Sequence, residues 1–304
     1  MKITHKHIEE ILDFQISDSL RSKIDSFDLQ YRELTADERD AYILNFVNVL
    51  TNDITKSGEH RLVEWEAGWG ENLSKFKETK NIGDIIPMYH GKNKIVKWMG
   101  EPVMPLTENF DYKIHISFVD AILQHYMKDI KNIFEFGCGP GYHLIRLREF
   151  NKEIGLHGCD WTIASQEIIH KINESLGTNI NCSNFDFFNP DYSLNIPESS
   201  GIYTIAALEQ IGDNFKDMVD FLIEKNPELC IHMEPIDELL DNNKLIDNLS
   251  IKYFRKRNYL NKFLTYLECL ERDGKVVIIK KQRIFTGSYF TEGHSLIVWK
   301  PKTK

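Results

Sequence analysis

The chain has 304 residues, 42% apolar and 27% charged, enough for one large core plus an accessory segment. Its formal net charge of −9 works against a nucleic-acid partner, because affinity for a phosphate backbone comes from Lys and Arg displacing counterions. No apolar run reaches membrane-spanning length and Met1 to His7 leads straight into charge, so neither a membrane anchor nor a signal peptide is expected.

The first hundred residues have a helical pattern. Ile8, Ile11, Leu12 and Leu20 suggest a first amphipathic helix, and Thr35-Ala36-Asp37-Glu38 is a capping box followed by Tyr42, Ile43, Phe46, Val47 and Leu50 on one face. Trp65-Glu66-Ala67-Gly68-Trp69-Gly70 comes next, then Pro87-Met88-Tyr89-His90. Aromatics beside glycines in a loop can close over a flat ligand while the backbone hinges. Alternatively, Trp65 and Trp69 at i and i+4 pin a helical segment to the sheet. Trp69 and Tyr89 are candidate substrate contacts.

At Asn132-Ile133-Phe134-Glu135-Phe136 an apolar strand carrying one acid runs into Gly137-Cys138-Gly139-Pro140-Gly141. Glycines at alternate positions allow a sharp turn and let a ligand lie against bare main chain. Leu144, Ile145, Leu147 and Phe150 follow at helical spacing, so the turn opens a helix. The spacing does not match the dinucleotide fingerprint G-x-G-x-x-G. With Glu135 two residues before the first glycine, the segment resembles motif I of the class I S-adenosylmethionine-dependent methyltransferases, E/D-x-G-x-G-x-G.

Downstream segments extend that resemblance to about residues 110 to 301. Gly155 to Trp161 ends in an acid about twenty residues after the turn, one helix plus one strand on, where Asp160 can accept from both ribose hydroxyls and Trp161 can face the adenine. Asn184-Phe185-Asp186-Phe187-Phe188 supplies a third acid, where the family accepts from the adenine amino group. Gly201 to Leu208 and Glu228 to Pro235 are near-continuous apolar runs, as central parallel strands require. Lys275 to Ile279, continuing toward Arg283, and Ser295 to Trp299 fit the reversed hairpin that completes the family's sheet. The resemblance implies an α/β fold with a seven-stranded, doubly wound, Rossmann-like sheet. It would span 109–304 and follow an N-terminal helical cap over 1–108 that acts as a lid or a homodimer contact. It implies S-adenosyl-L-methionine as cofactor, held by Glu135, Gly137, Cys138, Gly139, Gly141, Asp160, Trp161, Asp186, Phe187 and Leu208. The family's base-methylating members carry an Asn/Asp-Pro-Pro-aromatic tetrad where this chain has Leu208-Glu209-Gln210.

Ligands of open α/β sheets bind beyond the carboxyl ends of the strands, which makes Glu209, His232 and Glu234 the candidates for a rim base. Glu234, last before Pro235, is the first choice; His232, two residues deeper, reads also as a core histidine. The same three could ligate a divalent metal, but no H-x-x-x-H or Asp-rich cluster supports that, and none is expected. The stretch 237–262 exceeds the single helix this connection needs and reads as a substrate-recognition insert, with Arg255, Arg257 and Tyr259 as candidate contacts to an anionic acceptor. Lys252, Arg255, Lys256 and Arg257 form a cluster too short to track a polynucleotide. The five cysteines include no C-x-x-C pair, and Cys138, Cys159, Cys182 and Cys230 fall in or beside predicted strands, as small buried hydrophobes of a reducing, cytoplasmic compartment do. The expected activity is methylation of a small molecule, at the oxygen of a sugar or specialised metabolite. Methylation of an amine and a non-catalytic partner subunit are the alternatives.

Overall fold

The computed structural model describes residues 1–91, 94–292 and 294–302. Seven strands form the main sheet: β1 (Asn132–Phe136), β2 (Gly155–Asp160), β3 (Ile180–Asn184), β4 (Ser200–Ile205), β5 (Leu229–Glu234), β6 (Val276–Gln282) and β7 (Ser295–Pro301). Their spatial order is β6-β7-β5-β4-β1-β2-β3. β1 to β5 pair in parallel, whereas β7 runs antiparallel to both β5 and β6. This is the doubly wound sheet with a reversed hairpin that the strand pattern predicts. The order reverses at β1, where β2 lies on one side and β4 on the other, and such a switch point opens a crevice at the carboxyl edge. Apolar β4 and β5 are buried along their whole length because helices cover both faces.

The amino-terminal region is only partly helical. The expected first helix is two, His5–Leu12 and Asp18–Ser26, because Asp13 adopts a left-handed conformation (φ +61°) that ends the first, and Ser17 caps the second. The capping box at Thr35 forms as read: the Glu38 carboxylate accepts from the Thr35 N–H (2.8 Å) and the Thr35 hydroxyl from the Glu38 N–H (3.3 Å). Short strands at Lys2–Ile3, Leu29–Glu33, Val96–Trp98 and Glu101–Pro105 build a second sheet, to which Thr286–Gly287, from the β6–β7 connection, adds an edge. Ile3, Ile8, Leu12, Leu20 and Ile24 share one core with β1, β5 and β7. The amino-terminal region and the β6–β7 connection therefore share one sheet.

The tryptophan-glycine stretch is a helix rather than a loop, spanning Leu62–Thr79 with Gly68 and Gly70 inside it. A Cβ at either glycine would meet nothing within 4 Å, so neither is demanded by packing. Tertiary contacts override their low helix propensity. Trp65 and Trp69 stack at i and i+4 with centroids 5.5 Å apart. The β5–β6 connection holds two helices, Leu245–Arg257 and Phe263–Arg272.

Candidate active site

Beyond β1 the chain turns through Gly137, Gly139 and Gly141 at φ of +72°, +49° and +74°, the left-handed region that glycine tolerates. The turn is fastened to β2. The N–H groups of Gly137 and Cys138 donate to the Cys159 carbonyl (2.7 and 3.1 Å), and the Gly139 N–H donates to the Asp160 carboxylate (2.8 Å). The other Asp160 oxygen accepts from the Thr162 N–H and hydroxyl (3.0 and 2.7 Å), so the acid is fixed in place. A Cβ on Gly137 would collide with Ala207, which means that only bare backbone fits where β1 faces the end of β4.

A cavity opens here, walled by Trp65, Trp69, Trp161, Phe185, Phe187 and Phe188 and floored by Gly137, Ala206 and Ala207, with Asp160 as its one carboxylate. Trp161 and Phe188 lie nearly parallel, 6.1 Å apart. Such a slot accepts a flat heterocycle, and its carboxylate accepts from hydroxyls. Of the residues expected on the cofactor, Gly137, Asp160, Trp161 and Phe187 line this space. Gly139 lies under the Trp69 ring, Gly141 caps the next helix, and the Cys138 thiol packs toward Gly158. Asp186, Leu208 and Glu135 do not line the cavity. Asp186 accepts from the Phe188 N–H (2.9 Å) and the Asn189 amide (3.1 Å) of its own turn, while Leu208 is fully buried in the core. Glu135 is buried beneath the turn, accepting from Tyr203 (3.0 Å) and bonded to His143 Nδ1 (2.9 Å).

A second, larger cavity adjoins the first through Trp65, Ala206 and Gln210. Arg61, Glu209, Tyr253, Arg257 and Tyr259 line one part of it; Tyr89, His90, Asp111, His115, His143 and His294 line another. Arg257 reaches it by donating to the Thr55 carbonyl and packing 5.4 Å over Tyr259. Arg255 does not: it lies in solvent beside Asp237 (3.5 Å) with its side chain 68% exposed, because it falls on a different face of the same helix. Trp69 belongs to the slot and not to this cavity, since the helical spacing sets it over the glycine turn.

The base assignment is also corrected. Glu234 is wholly buried, and its carboxylate accepts from three consecutive N–H groups, Ala207 (3.2 Å), Leu208 (3.1 Å) and Glu209 (3.2 Å). It clamps the turn after β4 and reaches neither cavity. His232 is buried between Phe263 and Trp299 with Nδ1 on the Thr204 hydroxyl (2.9 Å), the core placement its depth suggested. Glu209 alone of the three lines the larger cavity, half-buried, with the Gln210 amide on its carboxylate (2.9 Å). Burial and then the neighbouring Glu234 push its pKa up, which favours a protonated carboxyl that donates to a ligand. The metal alternative lapses because its three members face different surroundings; among the described residues no group of His, Cys, Asp or Glu is placed to hold an ion.

The histidines were missed. Burial holds His90 and His143 down at about 3 and His294 at about 4, so these rings are neutral near pH 7. His143 carried a signal, as the second residue after Gly141 and eight after Glu135, on the first turn of the helix that the glycines open. His115 and His294 carried none, since tertiary folding alone brings them within 4.7 Å, ring to ring.

No family model and no curated sequence matches the chain. By structure it is similar to PigF with SAH, at 14% identity over 87% of this chain and 69% of that one, with a TM-score of 0.47. It is similar also to human N-acetylserotonin methyltransferase in complex with SAM, at 11% identity over 88% and 68% with a TM-score of 0.44. The 16S rRNA methylase ArmA is similar at 13% identity over 77% and 97%, with a TM-score of 0.44.

Proposed function

We propose that the chain is an S-adenosylmethionine-dependent methyltransferase that methylates a hydroxyl of a small molecule. The observation that carries this is the pair of adjoining cavities at the carboxyl edge of β1 and β4: an aromatic slot beside a fixed Asp160, and a chamber lined with groups that handle protons. The residues fit the cofactor on structural grounds, because Gly137 leaves room for main-chain approach and the Asp160 carboxylate stands beside a slot of flat rings. S-Adenosylmethionine supplies an activated methyl on a sulfonium, so the protein need only align the acceptor and remove its proton. Here the aromatic walls would hold the adenine, Asp160 would take the ribose hydroxyls, and Glu209 with Gln210 would orient the acceptor where the cavities meet.

A small acceptor is supported by the walled chamber and by the net charge of −9, which lacks a footprint for RNA or DNA. Oxygen methylation is supported by the neutral imidazoles, which an acceptor that must lose a proton needs and a free amine does not. Many hydrogen-bonding side chains with few fixed charges suit a sugar or other hydroxylated metabolite. Two measurements test this. Calorimetry should show binding of S-adenosylmethionine and none of NAD. Asp160→Ala should weaken the former by about 1 to 3 kcal/mol through lost charge-assisted hydrogen bonds. A screen of sugar nucleotides and metabolite extracts for a 14 Da gain then finds the acceptor; a protein that binds the cofactor and methylates nothing there would point to the partner-subunit alternative.

A further inference from the structure

One hydrogen-bonded chain of side chains leads from the wall of the larger cavity to the buried motif acid. His115 and His143 approach Nε2 to Nε2 at 3.1 Å, His143 Nδ1 meets Glu135 Oε1 at 2.9 Å, and the Tyr203 hydroxyl meets Glu135 Oε2 at 3.0 Å. His115 also touches the Tyr142 hydroxyl (2.9 Å), which faces His90 (3.5 Å). His115 is the hub, with ring centroids 5.0 Å from His90, 5.3 Å from His143 and 4.7 Å from His294. Among the described residues its Nδ1 has no hydrogen-bond partner. Building on the methyltransferase reading, we propose that His115 takes the proton of the acceptor hydroxyl, with His143 and Glu135 as the positioning and proton-accepting residues behind it.

When Tyr203 and His143 both donate to Glu135, His143 carries its proton on Nδ1 and presents a bare Nε2. His115 then donates from its own Nε2, shared between His143 and the Tyr142 oxygen, and keeps Nδ1 bare. During transfer the acceptor O–H bond breaks and its proton goes to His115 Nδ1. The Nε2 proton of His115 passes to His143, and the Nδ1 proton of His143 passes to Glu135. The acceptor oxygen keeps the electron pair that forms the bond to the methyl carbon, and the departing sulfur takes the pair of the bond that breaks. The sulfonium charge vanishes as the Glu135 charge does, so the buried site ends with neither.

Electrostatics favour that direction. Burial pushes the Glu135 carboxyl up and each imidazole down, and Arg146, paired with Asp120, adds to the penalty on a His115 cation. A proton entering at His115 is therefore more stable on the carboxyl than on any ring. The relay requires an ionised Glu135 before transfer: burial and the nearby Asp160 oppose that state, while the Tyr203 donor favours it, as the charge of a bound sulfonium would.

The tautomers can be read without an acceptor, by long-range proton–nitrogen NMR on histidine-labelled protein saturated with S-adenosylmethionine. His143 is expected as Nδ1–H and His115 as Nε2–H, and the opposite pair overturns the proposal. His115→Gln keeps a donor toward His143 and loses the bare nitrogen. Its methylation of a metabolite extract should fall at least about 100-fold while S-adenosylhomocysteine binding stays within about threefold. Retained turnover overturns the proposal. If that variant does not fold, Tyr203→Phe serves: with one donor lost the carboxylate is harder to ionise, so the acid limb of the rate profile should move to higher pH. An unmoved limb counts against the relay. Absent cofactor binding by the unaltered protein would instead be a failure of the methyltransferase reading.

Discussion

The two cavities share Trp65, Ala206 and Gln210, yet they are built from different material. The slot is made largely of the turns that follow β1, β2 and β3, at Gly137, Asp160–Trp161 and Phe185–Phe188, with Trp65 and Trp69 over it, and offers main chain, rings and one fixed carboxylate. The larger chamber gathers side chains from Arg61, Tyr89, His90, His115, Tyr253, Arg257, Tyr259, Ser288 and His294, and with His143 it holds four histidines. A ligand common to many enzymes can be held by backbone geometry, whereas an acceptor peculiar to one must be recognised by side chains that distant segments supply. Rigid shape should dominate the first cavity, and protonation the second.

The sharpest way to break this contrast is Gly139→Val. The left-handed φ of +49° opposes any β-branched residue, and the added Cβ would stand 2.8 Å from the Trp69 ring. Binding of S-adenosylmethionine should drop by about 100-fold or more, about 2.7 kcal/mol or greater, in calorimetry at any pH. Normal affinity in a folded variant would mean that the glycine turn is not the cofactor's seat.

The chamber should respond to pH through a residue that braces it. Lys97 is buried, donates to the Ser250 hydroxyl and to the Phe290 carbonyl (3.2 Å), and is pushed down to about 7 by burial. Between that value and its ordinary 10.5 the unfolded chain binds the extra proton, so stability should rise with pH through this window. Lys97→Met should remove up to about 1.4 kcal/mol per pH unit of that rise, read as the difference between the two proteins in urea melts from pH 7 to 9.5. Parallel pH profiles would show that Lys97 is charged in the folded protein.

Glu234→Gln separates clamp from catalyst. Three N–H donors face this carboxylate, and an amide turns a donor of its own toward them. Loss of about 1 to 3 kcal/mol in stability is expected. Turnover should survive at temperatures where the variant is folded; a folded, stable but inactive variant would restore Glu234 as a base.

What the sequence made legible divides along the same line. The parallel strands, the reversed hairpin and the glycine turn are local patterns, continuous apolar runs, late β-rich segments and alternate glycines, and each formed close to where it was read. Asp160 and Trp161 were legible because a βα unit has a nearly fixed length. Glu234 misled because a carboxylate at a strand end looks alike whether it faces a ligand or three main-chain donors. For Trp65 and Trp69 the sequence left a closing loop and a helical i, i+4 pair both open, and the helix is what forms, tied by Glu66 to the helix beyond β2. The histidine wall as a whole was not legible because its four members lie at positions 90, 115, 143 and 294 with no periodicity to link them, and only His143, beside the glycine turn, carried a signal.

The smallest effect tests that last contact. Glu66 lies on the Leu62–Thr79 helix between the two tryptophans, and its carboxylate accepts from the N–H groups of Ile163 (2.8 Å) and Ala164 (2.9 Å). These are the first residues of the helix that follows β2, whose end offers free donors and a positive dipole. Thr162, the residue before it, turns its hydroxyl to Asp160 and gives no side-chain cap, so the cap arrives from a segment nearly a hundred residues away. Glu66→Ala should therefore cost about 1 kcal/mol, a fall of roughly 2 °C in Tm for a chain of this size. Because the same helix carries Trp65 and Trp69 over the slot, S-adenosylhomocysteine should bind a few-fold more weakly, while the tautomers of His115 and His143 stay as they are. Loss of affinity with disturbed histidine tautomers would show that the helix governs both cavities together, and the division between a rigid slot and a titrating chamber would then have to be given up.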